Sequence, residues 1–255
     1  MKTIVLAAGY ATRLYPLTEN FPKPLLEIGH STILGRMLDD IDTIPEIDGH
    51  IIVTNHKFAG MFEAWAARRR TPGQAGGDAG GQAGGDIRVL DDGTSTNETR
   101  LGAVRDLILA IETYALDEDL LVVAADNILE FSFRGFVEAF HAKGTSMIMC
   151  HHEPEIWRLQ RTGVIAVDDA MRVLQMQEKP AEPVSHWAVP PFYIYRKEDL
   201  PLIRTALAHG CGADAPGNLA HYLVDRTPIH AWPMPGGRFD IGSLDTYEEA
   251  KQKYA

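Results

Sequence analysis

Cysteine is scarce in this chain: Cys150 and Cys211 are the only two among 255 residues. They have neither a metal-ligand spacing nor the look of a disulfide framework, so both are expected as reduced thiols. Positive charge is also in short supply, with 24 Lys and Arg against 35 Asp and Glu and a formal net charge of −11. That balance argues against a nucleic-acid partner or an anionic-membrane surface, each of which needs a basic footprint. It does not exclude a phosphate substrate, because a cleft can be locally basic on an acidic protein. No apolar run approaches the ~20 residues of a membrane span. The opening MKTIVLAAGYATRL carries one Lys and an apolar run that stops at Gly9, too short for a signal peptide. A soluble, cytoplasmic protein with no membrane partner is expected. Two familiar phosphate loops are missing as well. No GxxxxGK[ST] occurs, and no GxGxxG.

What is present is an ordinary globular composition, 45% hydrophobic and 23% charged. The chain is long enough for one substantial core with or without a small lobe. Short runs rich in Val, Ile and Leu at 3–6, 50–54, 87–90, 120–124 and 146–150 read as buried strands. Segments 32–41, 58–70, 101–114 and 133–141 between them suit helices. This alternation predicts an α/β fold, with a Rossmann-like mostly parallel or mixed central sheet and helices on both faces. From Gly163 the texture changes: 164–167, 172–177, 189–195 and 228–232 look like strands with fewer helices between them. They suggest a smaller C-terminal sheet, and 246–254 a terminal helix.

Residues 73–86, GQAGGDAGGQAGGD, form a low-complexity stretch without a large apolar side chain. Such a segment cannot bury enough surface to offset its ordering entropy, and it is expected as a flexible loop between helix and strand.

The first strand runs into Ala7-Ala8-Gly9-Tyr10-Ala11-Thr12-Arg13-Leu14. Small residues directly after a strand let backbone N–H groups approach and cradle phosphate oxygens. Arg13 and Lys23 add two cations, and Pro16, Pro22 and Pro24 stiffen the segment that carries them. Any one of these residues could be an ordinary turn or surface residue; their conjunction is the signal.

LAAGYATRLYPLTENFPKPLLEIG resembles the signature of the sugar-1-phosphate nucleotidylyltransferases, the group that contains glucose-1-phosphate thymidylyltransferase. Their usual form is LA-(A/G)-G-x-G-T-R-L-x-P-L-T followed by P-K-P-L. Here Ala11 replaces the second glycine, a change that is tolerable at negative φ and awkward at positive φ. The resemblance extends over essentially the whole chain. It implies the nucleotide-diphospho-sugar transferase fold as one domain, 1–255, with 1–150 as the NTP-binding half and 151–255 as the acceptor-binding half. Leu6, Ala7, Ala8, Gly9 and Thr12 would then hold the nucleotide, and Arg13 and Lys23 its phosphates.

The apolar run 120–124 ends in Ala125-Asp126-Asn127, a carboxylate at a strand tip where open α/β sheets bind ligands. An Asp that merely caps the next turn is the bland alternative. The family has GDN here, with the Asp as a Mg²⁺ ligand. Gly237-Arg238-Phe239-Asp240-Ile241-Gly242-Ser243 resembles the family's W-x-D-x-G-T, and Tyr247 falls where its downstream Tyr does. Asp126 and Asp240 are thereby implied as catalytic metal ligands, and two carboxylates suffice when substrate phosphates complete a Mg²⁺ shell.

On the acceptor side, Gln177-Glu178-Lys179-Pro180 matches the family's EKP, whose Glu meets sugar hydroxyls and whose Lys meets the acceptor phosphate. Thr162-Gly163-Val164 resembles its YGV, with Gly163 admitting the sugar. Pro190 and Pro191 replace small residues of a family strand, which implies an altered pocket wall. The thymidylyl-type Q-x-x-x-x-G loop is replaced by the longer 91–102, where Arg100 either contacts base or triphosphate or begins the next helix. His151-His152 lack a third ligand at zinc spacing, and Trp157, Trp187 and Trp232 are read as packing residues.

The resemblance implies a nucleotidyltransferase that moves NMP from an NTP to a phosphorylated small molecule, a sugar 1-phosphate, with Mg²⁺ as cofactor and pyrophosphate as product. The alternatives are a cytidylyltransferase for a phosphorylated alcohol or phosphonate and a catalytically inactive nucleotide sensor. The base, the acceptor and a homo-oligomeric state stay open, and without hexapeptide repeats no acetyltransferase activity is expected. Deleting residues 75–85 should leave melting temperature and turnover nearly unchanged, because loop length enters closure entropy only logarithmically. A large loss of turnover in that variant would show that the segment acts as a functional lid.

Overall fold

The computed structural model describes residues 1–70 and 85–254. The low-complexity stretch therefore lies outside the described residues except for Gly85 and Asp86. In chain order the elements are β1 (Lys2–Leu6), β2 (Glu27–Ile28), β3 (Ser31–Thr32), α1 (Ile33–Ile41), β4 (Gly49–Thr54), α2 (Ala59–Arg70) and β5 (Asp86–Asp91). There follow α3 (Ala103–Thr113), β6 (Leu120–Ala124), β7 (Asn127–Leu129), α4 (Arg134–Lys143) and β8 (Ser146–His152). The remainder is α5 (Ile156–Leu159), β9 (Gly163–Val167), β10 (Val173–Glu178), β11 (Trp187–Val189) and β12 (Phe192–Tyr195). Last come α6 (Leu200–Thr205), α7 (Pro216–Val224), β13 (Ile229–Pro233), β14 (Arg238–Asp240) and α8 (Leu244–Lys253).

The chain forms two compact units, and neither is a single stretch of sequence. The first comprises Met1–Arg100, Ala124–Arg134 and Gly236–Ala255. Its strands β1, β4 and β5 are parallel, with Ile4 opposite Ile51 and Ile52 opposite Val89. Every residue of β4 is buried, as expected of a parallel strand covered on both faces. Helix α1 starts where the Thr32 hydroxyl accepts the Gly35 N–H at 2.9 Å, the usual service of a Thr before a helix. It turns Ile33, Leu34, Met37, Leu38 and Ile41 inward.

Two short ribbons complete this unit, β2 with β3 and β7 with β14, both antiparallel. Leu14, Leu26, Ile28, Ile33, Ile128, Ile241, Tyr247 and Ala250 form one buried cluster beneath them. Helix α8 is locked at its start by a reciprocal capping box between Ser243 and Thr246. One turn on, the Tyr247 hydroxyl donates to the Glu27 carbonyl at 2.9 Å. The last helix thus ties β14 to the segment that follows Lys23.

The second unit comprises Leu101–Val123 and Gly135–Pro235. Its strands pair in the order β10-β9-β11-β8-β12-β6, all antiparallel, while β13 runs parallel to β8. The strands are thus mixed, parallel in the first unit and mainly antiparallel in the second. One expected strand, 189–195, is instead two, β11 and β12. Pro190 and Pro191 have no N–H for a ladder, so pairing stops at Val189 and resumes at Phe192. Helices α6 and α7 occupy a region whose sequence texture suggests mainly strands. Pro stands in the first turn of each, where its missing N–H costs nothing and its fixed φ suits a helix. Among the described residues no helix is long and apolar enough to cross a membrane.

Candidate active site

Every residue expected to hold the nucleotide or a metal lies in the first unit. A cavity of about 340 Å³ opens there, lined by Leu6, Ala7, Gly9, Thr12 and Arg13 from the N-terminal loop together with Lys23, Asp126 and Asp240. The loop is held from behind. Ala7 N–H donates to the Val53 carbonyl at 2.9 Å, which prolongs the β1–β4 ladder by one residue. Buried Asn55 donates from Nδ2 to the Ala8 carbonyl at 3.0 Å, and its Oδ1 accepts the Phe58 N–H at 3.2 Å. One side chain therefore anchors the loop and caps the approach to α2, a role that an Asn at the end of a strand does not announce in sequence. Ala8 is buried and does not line the cavity. A Cβ placed on Gly9 would meet no atom within 4 Å, so the space above it is open.

Ala11 has φ 47° and ψ 42°, the awkward case for the residue that replaces the family glycine. A left-handed alanine costs about 1–2 kcal/mol. Its methyl packs against the buried cluster under the ribbons, and its carbonyl accepts the Thr18 hydroxyl at 2.8 Å. Both contacts offset the strain.

Lys23 begins a single 3₁₀ turn that also contains Pro24, and its side chain is buried. Its Nζ donates to Asp126 Oδ2 at 3.2 Å. The β7–β14 ribbon supplies the second carboxylate, since Asp240 pairs with Asn127, the neighbour of Asp126, and Ile241 N–H donates to the Asp126 carbonyl at 3.3 Å. Asn127 Nδ2 donates to Asp126 Oδ1 at 2.6 Å, and Arg238 Nη1 donates to Asn127 Oδ1 at 2.7 Å. Asn127, itself held by Arg238, therefore orients Asp126, a role that nothing in their motifs assigns to them.

The Asp240 carboxyl sits above its ordinary pKa. Loss of hydration is the main cause and the Asp126 charge adds to it, while the Lys23, Arg238 and Arg13 cations oppose both. A like-charged pair held this way by the backbone fits a divalent cation, whose charge would reverse the shift. Among the described residues no three His, Cys, Asp or Glu side chains gather as a metal cluster. Arg100 lies outside the cavity and ahead of α3, with Nη1 donating to the Asn97 carbonyl at 3.3 Å. His152, at the end of β8, stacks on His186 with ring centres 5.4 Å apart.

The expected acceptor residues lie together in the second unit. Gly163 on β9 pairs with Glu178 on β10 and with Val189 on β11. A Cβ at Gly163 would lie 2.6 Å from the Met176 methyl and 3.2 Å from Val189 Cβ, so the Met176 side chain would have to shift. Lys179 N–H donates to the Thr162 carbonyl at 3.0 Å, and the Thr162 hydroxyl donates to the Val189 carbonyl at 3.0 Å. Thr162, where the family has Tyr, thus clips the Glu178–Lys179 corner to the strand before the double proline. Lys179 takes φ 48°. Non-glycine residues adopt that left-handed conformation under local constraint. Burial raises the Glu178 carboxyl above its usual range, Lys179 counteracts this, and Asp214 adds to it.

A small-residue loop after a strand, two cations and a ribbon-held carboxylate pair thus meet at strand tips of an α/β protein. Residues 2–255 match the Nucleotidyl transferase family model, and the chain belongs to that family. It is 24% identical to the UTP–glucose-1-phosphate uridylyltransferase AglF of Haloferax volcanii, with 99% of this chain and 96% of that protein covered. It is 25% identical to the glucose-1-phosphate adenylyltransferase of Geobacillus stearothermophilus over 97% of this chain, which spans 64% of that relative. Its fold matches a UDP-glucose pyrophosphorylase complexed with UDP-glucose at a TM-score of 0.79 and 19% identity, covering 99% and 97% of the two chains.

The Asp240 shift has a consequence for stability. A carboxyl with a raised pKa in the folded state favours folding when protonated and loses that advantage as pH rises through the window between its unfolded and folded values. Asp240→Asn should therefore melt higher than the wild type at pH 7, by about 1–3 °C for a partly solvated group. The gain should vanish toward about pH 3, where the wild-type carboxyl is neutral in both states. A lower melting temperature for the variant at pH 7 would contradict the assigned electrostatics.

Proposed function

We propose that this protein transfers a nucleotidyl group from an NTP to a sugar 1-phosphate, forming an NDP-sugar and releasing pyrophosphate. The observation that carries this reading is the conjunction of Lys23, Arg13 and the Asp126–Asp240 pair around a cavity floored by backbone of small residues. The names of the relatives favour a sugar 1-phosphate over a phosphorylated alcohol as acceptor. We read residues 1–255 as one functional domain, with the NTP held by the N-terminal half and Asp240, and the acceptor by the C-terminal half. Two reduced cysteines fit a cytoplasmic setting.

The chemistry follows from charge. An acceptor phosphate oxygen is already anionic, so attack on the α-phosphorus needs no general base. The residues must bring two polyanions together and neutralise what develops in an in-line displacement. Asp126 and Asp240 would hold Mg²⁺, which when bound supplies a template and Lewis-acid neutralisation of the phosphates. Arg13 and Lys23 stabilise the departing pyrophosphate. The Lys23 ammonium, paired with Asp126 in the free protein, has a carboxylate to leave as the triphosphate arrives. Lys179 orients the acceptor phosphate and Glu178 the sugar hydroxyls. No covalent intermediate on the protein is needed.

Lys23 and Lys179 belong to different units, so each substrate has its own cation. Lys23→Ala should impair NTP binding and Lys179→Ala acceptor binding, each by roughly one to two decades in affinity, the worth of a charge-assisted phosphate contact. Separate calorimetric titrations of NTP and sugar 1-phosphate against both variants test this. Equal defects in both titrations for both variants would mean a single shared phosphate site.

A further inference from the structure

We propose that Gly217 is a positioning residue of the acceptor site: its missing side chain gives the Glu178 carboxylate the place from which it meets the sugar hydroxyls. The inference rests on the reading of Glu178 as an acceptor contact. A Cβ at Gly217 would lie 2.0 Å from Oε2 of Glu178, 3.1 Å from its Cδ and 3.0 Å from the Met176 methyl. Gly217 stands in the first turn of α7, where alanine is the better helix former, and its φ lies outside the left-handed region. The glycine leaves room for the Glu178 carboxylate over this residue, and backbone conformation does not call for it.

Neither the helix nor the strand is free to retreat from an added methyl. The segment before α7 is pinned by two backbone bonds, from Ala103 N–H to the Asp214 carbonyl and from Val104 N–H to the Ala213 carbonyl, each 3.0 Å. Gly102, at φ 94°, packs so closely against Ala213 that a Cβ there would sit 2.5 Å from its carbonyl oxygen. One turn along α7, the His221 ring bonds through Nδ1 to the Met176 carbonyl of β10. Helix and strand are thus fastened on both sides of the contact. The flexible end of Glu178 is what must yield, so a methyl at 217 displaces the carboxylate and leaves the fold intact.

The test compares wild type, Gly217→Ala, Glu178→Gln and the double variant in pyrophosphate release with α-D-glucose 1-phosphate. UTP, ATP, dTTP, GTP and CTP are each tried as donor, and melting temperatures are recorded. Gly217→Ala should raise KM for glucose 1-phosphate about tenfold, in line with loss of a hydrogen bond to a charged group. It should leave KM for the NTP and the melting temperature unchanged. It should add little to Glu178→Gln, because both substitutions act through one carboxylate. An unchanged acceptor KM overturns the proposal, as do an equal rise in both KM values, a fully additive double variant, or a lowered melting temperature with normal kinetics. A wild-type protein inactive on glucose 1-phosphate with all five NTPs would overturn the acceptor reading itself and this inference with it.

Discussion

The pairing of β7 with β14 is the constraint on which the rest of the candidate nucleotide site depends. It fastens two carboxylates, Asp126 and Asp240, beside one another although they lie far apart in sequence. Two such groups repel, and this repulsion adds to the loss of hydration that raises the Asp240 carboxyl. The fold holds them together with the buried cluster of Leu14, Ile128, Ile241 and Tyr247 below and with cations around the rim. Lys23, buried and bonded to the half-exposed Asp126, leads these compensations. On the proposed function, a cation and a triphosphate would relieve this repulsion on binding.

The second unit solves a different problem. Here a single carboxylate must be presented beside a lysine at a strand end. The strands β9, β10 and β11 set the corner, Thr162 clips it, and Lys179 turns left-handed there with its Nζ 3.8 Å from Oε1 of Glu178. Two glycines, Gly163 and Gly217, face this corner from a strand and a helix, and for both a Cβ would collide with side-chain atoms of β10. Absent side chains shape this site as much as the present ones do.

The sequence made much of this visible. The run from Leu6 to Leu26 could be read as a phosphate loop because its message is local: small residues, fixed prolines and two cations at set spacing. Asp126 could be set at a strand tip because it ends an apolar run, whereas Glu178-Lys179 drew notice only through the contiguous family motif they resemble. What escaped was relational. The left-handed φ of Ala11 depends on packing against a cluster assembled from several distant segments. Asn55 and Gly217 act through partners remote in sequence, Ala8 and Glu178, and no pattern in their own neighbourhoods marks them. Helices α6 and α7 were missed since Pro, Gly and His interrupt their apolar period, and tertiary packing overrides that weak propensity. The Pro190–Pro191 break was implied by chemistry, yet the flanking aromatic and β-branched residues made the segment look continuous.

The central claim is that the acidic pair serves nucleotidyl transfer to a sugar 1-phosphate. The most direct measurement is pyrophosphate release by the purified protein across five NTPs and a panel of sugar 1-phosphates, with and without magnesium, repeated for Asp126→Asn and Asp240→Asn. The account predicts release with a matched substrate pair that requires magnesium and falls by at least about a hundredfold in each folded variant, the loss expected when charge stabilisation of several kcal/mol is removed. Near-normal release by either variant, or release indifferent to magnesium, would contradict it.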